Sequence, residues 1–338
     1  LRTEIPEVDQ YFGVRDWAGI AAALGARHRT ELETERLLTT PRHYAYLKIS
    51  EGCNWKCGYC AIPLIRGPHV SVPMETLLEE ARKLAARGVR EIMVIAQDTT
   101  YYGIDLYGRR RLAELLTALC RIDDIEWIRL HYAYPTAFPD DVIDVMASEP
   151  KICKYLDIPF QHISDRMLTA MKRRHTKADA LALIERLRER IPDIALRTTL
   201  LVGYPTETEQ DMQELEQFVR DVRFDRLGVF AYSEEEGTYS ARELRDDVPE
   251  EEKQRRVDRI MRLQEGISLE NNLARVGRTM RVIVDSRQGD YYVARSQYDS
   301  PEVDQEILIP AAAHQLRRGH FYDARITAAE DYDLYGEV

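Results

Sequence analysis

The sequence predicts an α/β protein: a partial parallel (β/α)6 barrel over residues 41–275, followed by a small all-β barrel over 276–338. Three observations lead there. Between residue 43 and about residue 275, six runs rich in Ile, Val, Leu and Tyr alternate with segments of helical period. Alternating strands and helices imply a parallel sheet, and six units favour a partial barrel over an open doubly wound sheet, a choice that periodicity alone does not make. After residue 276 the helical period stops, and short strand-like runs follow one another between turn signals, as in small closed β architectures. The length of 338 residues, 44% of them hydrophobic, allows one large domain plus a small one with a sizeable core.

The bulk numbers exclude some classes. No apolar stretch reaches transmembrane length and no signal-peptide pattern is present. Five cysteines, three of them clustered, point to a reducing, cytoplasmic setting rather than a disulfide framework. The net charge of −11 argues against a chain whose main partner is RNA, because phosphate neutralisation usually demands a basic face; a local basic groove stays open. Residues 1–40 read as a mixed segment from Leu1 to Gly13, a helix-like stretch from Trp17 to Leu24, and a polar linker from Arg27 to Thr40.

The six strands are predicted at Tyr44–Ile49, Glu91–Ala96, Glu126–Tyr132, Lys154–Ile158, Ala195–Val202 and Arg226–Tyr232. Several are apolar on both faces, as parallel strands covered by helices should be. Pro73 opens the first intervening helix, with Leu77, Leu78, Ala81, Leu84 and Ala85 on one face and Gly88 as its stop. A later helix starts at Thr176 and ends before Pro192. Thr206 and Glu209 suggest a capping box ahead of the stripe Met212, Leu215, Phe218 and Val219. Glu207 then falls in a first helical turn, where negative charge suits the helix dipole. A long charged helix runs from Pro249 to about Ala274. In the terminal region the strand candidates are Met280–Val284, Tyr291–Arg295, Glu306–Ile309 and Phe321–Ile326. That small barrel is either a cap on the larger one or a recognition module.

The chemistry is announced by Cys53-Asn54-Trp55-Lys56-Cys57-Gly58-Tyr59-Cys60, directly after the first strand. A closed zinc site wants four ligands, so zinc here would need a histidine such as His43 or His69. A thioredoxin-like pair at Cys57 and Cys60 would leave the third thiol without a role. The favoured reading is a 4Fe-4S cluster with three thiolates and one open iron. Parallel barrels build their sites at the C-terminal strand ends. Those ends carry Gln97 to Thr100, His131 and Tyr134, Gln161 and His162, Gly203 after Arg197 and Thr198, and Phe230, Tyr232, Ser233 and Glu234. Cys120 and Cys153 read as inert core thiols.

With Tyr59 before its last cysteine, this loop resembles that of the radical S-adenosylmethionine (SAM) superfamily. The stretches Ala96-Gln97-Asp98-Thr99-Thr100-Tyr101-Tyr102-Gly103-Ile104-Asp105-Leu106-Tyr107 and Val202-Gly203-Tyr204-Pro205-Thr206-Glu207-Thr208 extend the resemblance to the radical SAM methylthiotransferases. The Ala-Gln-Asp-Thr-Thr run is most similar to the RimO branch; the tRNA branch, MiaB, usually shows Gly-Gln-Asn-Val there. Residues 295–304 are similar to the RimO version of the family's TRAM domain. The resemblance covers residues 41 to 338. It implies a methylthio group added to the β-carbon of one aspartate in the twelfth protein of the small ribosomal subunit, with SAM chelated by the open iron and a cellular electron donor as partner. From Glu270 to Val338 there are twelve acidic and eight basic side chains, which suits a basic protein substrate and disfavours tRNA. The family also implies an N-terminal domain whose three cysteines hold a second 4Fe-4S cluster. No cysteine precedes Cys53, and Leu1 to Gly13 resembles the tail of that domain. Residues 1–338 alone are therefore expected to cleave SAM without completing methylthiolation.

The resemblance also suggests residue roles. Cys53, Cys57 and Cys60 hold the cluster, with Lys56 helping to keep them ionised. Tyr59, and Tyr232 or Phe230, are candidates to flank the adenine, with core packing as the competing role. Gln97, Gln161 and Arg197 are candidates for the amino, carboxylate or ribose groups of SAM. Gly203 is expected to let the backbone approach the cofactor. His131 and His162 are candidate proton handlers, a role that competes with ordinary structural histidines. A tRNA-modifying enzyme and a non-catalytic zinc-binding interaction protein are the alternatives.

Overall fold

The computed structural model describes residues 2–27 and 34–338; most of the expected linker from Arg27 to Thr40 is included, but its residues 28–33 lie outside the described residues. Among the described residues before the first strand, a short helix spans Trp17–Ala23, capped by Asp16 through the Gly19 amide. The strands that follow are β1 (Tyr44–Lys48), β2 (Ser50–Glu51), β3 (Val70–Ser71), β4 (Glu91–Ile95), β5 (Trp127–Leu130), β6 (Ile152–Asp157), β7 (Ala195–Val202) and β8 (Arg226–Ala231). Six of them form one sheet in the order β1-β4-β5-β6-β7-β8, parallel throughout. β1 and β8 are its two edges, so the barrel is incomplete. β2 and β3 form a separate antiparallel pair around the cysteine loop, too short for any sequence period to reveal.

The helices between the strands cover the outer face. Met74–Ala86 buries Leu77, Ala81 and Leu84, and Lys177–Arg190 opens on a capping box of Thr176 with Asp179. One expectation is corrected. The helix at Glu209–Val222 is capped by Thr208 with Asp211, not by Thr206 with Glu209. Both pairs have the required spacing, but Asp211 also takes a hydrogen bond from Ser164 at 2.6 Å and an ion pair from Arg166. Those contacts decide the register. Thr206 instead turns with φ +72°, and Glu207 lies before the helix, not in its first turn.

The strands β9 (Thr279–Gln288), β10 (Tyr291–Ser296), β11 (Ile307–Pro310), β12 (Phe321–Ala329) and β13 (Leu334–Glu337) close into a barrel in the order β10-β11-β13-β12-β9. β13 was absent from the sequence-based set. Its Leu334 is buried in the barrel's core beside Val282, Ile307 and Ile326. The core follows from alternation, since β9 and β12 bury every second residue along part of their length.

The segment between β10 and β11 enters the N-terminal end of the larger barrel. Arg129 donates to the Gln297 carbonyl at 2.7 Å, and Tyr155 donates to Asp304 at 2.8 Å. Ser300 meets His131 at 3.0 Å, while Arg226 pairs with Asp299 and Arg197 with Asp304 at 3.4 Å. Deeper in, Glu91 sits fully buried between Arg129, at 2.9 Å, and Arg295. The small barrel thus plugs the larger one, and the strand faces that meet it carry buried charges beside an apolar cluster in which Trp127, Cys153, Tyr155 and Ala195 meet Ile283, Tyr298 and Phe321. The cap suggested by the sequence is held by ion pairs together with apolar packing such as Trp127 against Phe321, ring centroids 4.8 Å apart.

Candidate functional site

At the C-terminal end of β1, β2 leads into the cysteine loop, and local bonds fix its course. Gly52 has φ +80°, and a Cβ there would lie 2.2 Å from the Pro68 carbonyl oxygen, so only glycine fits. The Cys53 amide donates to the Gly67 carbonyl at 3.1 Å, the Gly58 amide to Met171 at 2.8 Å, and the Cys60 amide to Cys57 at 3.1 Å. Trp55 donates its indole N–H to Asp98 at 2.7 Å and stacks on Tyr134, with ring centroids 4.1 Å apart.

Cys53, Cys57 and Cys60 all line one cavity of about 460 Å³, together with Trp55, Tyr59, Gln97, Tyr132, Tyr134, Gln161 and Arg173. No three His, Cys, Asp or Glu side chains among the described residues converge on one ion. His43 is held by Asp285 at 2.7 Å and His69 by Ser71 at 3.1 Å; neither lines the cavity. Thiols spread around a cavity suit a cluster that takes one thiolate on each of three irons. Burial pushes the Cys53 thiol up to about 12 and also raises Cys60. Cationic charge is needed to make them ligands.

Arg173 supplies such a charge. Its Nη1 lies 3.6 Å from the Cys57 sulfur and 3.4 Å from the Tyr59 hydroxyl, and its guanidinium stacks 4.2 Å over the Tyr134 ring. Burial alone would pull the guanidinium down, but the surrounding tyrosine and thiol groups outweigh it and hold Arg173 charged. Its Nε is buried without a hydrogen-bond partner, as is the Gln97 Oε1. One spare donor and one spare acceptor therefore belong to side chains that line the cavity. Gln97 is positioned by donating to Glu51 at 2.9 Å. Gln161 and Tyr132 hold left-handed backbone, φ +70° and +54°, a strain that non-glycine residues carry mostly at functional sites.

Of the residues singled out from sequence, the structure brings Tyr59, Gln97, Tyr134 and Gln161 to the cysteines, whereas Arg197, Gly203, Phe230 and Tyr232 do not line the cavity. Arg197 pairs instead with Asp157 at 3.0 Å and with Asp304 of the plug at 3.4 Å. Tyr232 is buried among Met167, Met171, Leu201 and Tyr204, and Phe230 is 62% exposed on edge strand β8. Gly203 has φ +72°, and a Cβ there would lie 2.3 Å from the Lys253 side chain; the close approach is made by a helix. Substituting Gly203→Ala should cost on the order of 1–3 kcal/mol in chemical denaturation, with the cysteine cavity unchanged. His162 accepts from the Ile163 and Ser164 amides at 2.8 and 3.0 Å through Nδ1, so its Nε2–H donates to Glu207 at 3.2 Å. Glu207 also accepts from the Gly203 amide at 2.6 Å and pairs with Arg256. These contacts anchor His162, His131 meets Ser300 at 3.0 Å, and neither histidine lines the cysteine cavity. Lys56 is exposed, while Cys120 and Cys153 are buried away from the loop. Arg173 went unnoticed because it follows a helix rather than a strand. Its only sequence signal is the run Lys172-Arg173-Arg174-His175.

Comparison with known proteins agrees with this geometry. Residues 47–219 match the radical SAM superfamily, and residues 276–338 match the TRAM domain. The chain is 52% identical over 338 residues to a ribosomal protein uS12 methylthiotransferase RimO of Bacteroides thetaiotaomicron, covering 100% of this chain and 78% of that protein. It is 54% identical over 337 residues to the RimO of Christiangramia forsetii, covering 100% of this chain and 75% of the relative. Among solved structures, coproporphyrinogen III oxidase (HemN) of Escherichia coli aligns with a TM-score of 0.50 at 15% identity, over 87% of this chain and 75% of that one, a likeness of fold alone. The chain belongs to the RimO family of radical SAM methylthiotransferases.

Proposed function

We propose that this protein adds a methylthio group to the β-carbon of an aspartate in ribosomal protein uS12. The observation that carries the reading is the identity of 52–54%, sustained from end to end of the chain, with relatives bearing that name. In this reading Cys53, Cys57 and Cys60 hold a 4Fe-4S cluster with one open iron. When bound, cluster and SAM supply a radical that removes hydrogen from an unactivated carbon, fed by a cellular electron donor. The rest of the work belongs to the chain. Gln97 Oε1 and Arg173 Nε await a donor and an acceptor, which suits the amino and carboxylate ends of SAM. Tyr59, Trp55 and Tyr134 wall the cavity and exclude water. The acidic surface of residues 276–338 attracts a basic substrate.

The division into a catalytic unit at 41–275, a terminal barrel at 276–338 and a leading segment at 1–40 belongs to the same proposal. So does a second 4Fe-4S cluster, for which residues 1–52 contain no cysteine. Such an enzyme would work in the cytoplasm; no described helix is long and apolar enough to cross a membrane. The test is anaerobic turnover by the polypeptide containing residues 1–338 and any segments encoded with it, offered uS12 and tRNA side by side. A methylthio mass on a uS12 peptide alone supports the proposal; the same mass on tRNA alone overturns it.

Arg173 gives a further check. Substituting Arg173→Met should leave the iron content intact and move the cluster midpoint potential negative, on the order of tens of millivolts, because a cation beside a cluster thiolate favours the reduced state. Anaerobic redox titration measures this.

A further inference from the structure

The net charge of −11 hides a local exception. At the N-terminal end of the partial barrel, a cavity of about 710 Å³ is lined by Arg42, Arg87, Arg90, Arg318, His43 and His320. His43 precedes β1, whereas the cysteine loop follows it. At about 3.3 Å per residue, the strand separates the two places by roughly 16 Å or more. The cleft therefore belongs to neither the cluster nor the cavity around it.

It is built by both domains. Gly319, with φ +76°, lies so close to residue 43 that a Cβ there would sit 2.7 Å from the His43 Cβ, and its amide donates to Val284 at 2.7 Å. The positive charges are poorly compensated. Asp285 holds His43 at 2.7 Å. Glu126 is 3.9 Å from Arg90 but only 2.9 Å from Arg281. Arg87 donates to the Arg36 carbonyl and has no carboxylate partner among the described residues. Among the described residues, Arg42, Arg318 and His320 have no side-chain partner. Arginines gathered in one cleft repel one another unless an anion lies between them, and their forked donors match phosphate oxygens.

We propose that this cleft docks the phosphate backbone of RNA, so that the enzyme holds its protein substrate as an RNA-bound particle from the end of the barrel opposite the chemistry. The choice of RNA rests on the uS12 reading; the binding itself does not. Direct RNA contact thereby enters through a local groove that the overall charge conceals. Four mostly exposed arginines around an open cleft suit an extended backbone better than an enclosed small molecule.

The test is fluorescence anisotropy of the full chain with a short fluorescein-labelled RNA hairpin across a salt series. The parent should bind, weakening with salt. The triple substitution Arg42→Gln, Arg87→Gln and Arg318→Gln should weaken binding about tenfold or more at low salt and flatten the log–log salt slope by roughly two to three. If the triple variant melts early, the exposed single change Arg318→Gln should still lower affinity by about twofold or more. Unchanged RNA affinity in the folded variant, no RNA binding by the parent, or displacement of RNA by poly-L-glutamate as readily as by unlabelled RNA would each overturn the proposal. Because the readout is binding rather than turnover, this failure is distinct from failure of the transferase reading.

Discussion

Substituting Cys57→Ala is expected to yield a folded, colourless protein after anaerobic reconstitution, with iron falling from about four per chain to near zero and SAM cleavage abolished. Cys57 is the middle thiol of the loop, and its sulfur faces Arg173 at 3.6 Å and the Tyr134 hydroxyl at 3.9 Å. Removing it takes away one of three iron ligands and exposes Arg173 to a cavity with less negative charge. The backbone bonds that shape the loop, from Gly58 to Met171 and from Cys53 to Gly67, do not use the side chain. The fold should therefore survive. Iron and sulfide assays beside circular dichroism separate loss of the cluster from loss of structure.

A large effect on stability is expected from Glu91→Ala. Glu91 is fully buried and lies between two fully buried arginines, Arg129 of β5 and Arg295 of β10. Burial alone would raise its carboxyl, but Arg295 and Arg129 outweigh it and hold the group below its ordinary 4.5. Truncation leaves two guanidiniums buried without their shared counter-charge, a loss of about 3–5 kcal/mol. The same change loosens the plug, because Arg129 also holds the Gln297 carbonyl. Urea denaturation should show a lower midpoint. The folded pKa is depressed, so this stabilisation is complete in the parent above about pH 4.5 and fades as pH falls through the folded value. The variant should lack that component of the acid transition.

The larger barrel was legible because its signals are local. Ala195–Val202 forms its strand at the bounds its residues indicate, and the other five central strands differ by one or two residues at one or both ends. The cysteine loop, Gln97 and Gln161 were legible as well, since strand ends are where parallel barrels place chemistry. What escaped depends on contacts between distant residues. The choice of Thr208 over Thr206 as helix cap was made by Ser164 and Arg166. Arg197 has the side chain for carboxylate binding, but it sits in the third position of β7, level with the plug rather than the cavity. Gly203 answers to Lys253, a residue fifty positions away. Arg173 reaches Cys57 from a turn after a short helix, a closeness that no periodicity encodes.

The account depends on three thiolates that leave one iron free for SAM. Mössbauer spectroscopy of the anaerobically reconstituted, 57Fe-labelled protein with and without SAM tests this most directly. A four-iron cluster in which a single iron site changes its isomer shift when SAM is added is the predicted result. A zinc-loaded protein without sulfide, or a four-iron cluster whose spectrum ignores SAM, would contradict it.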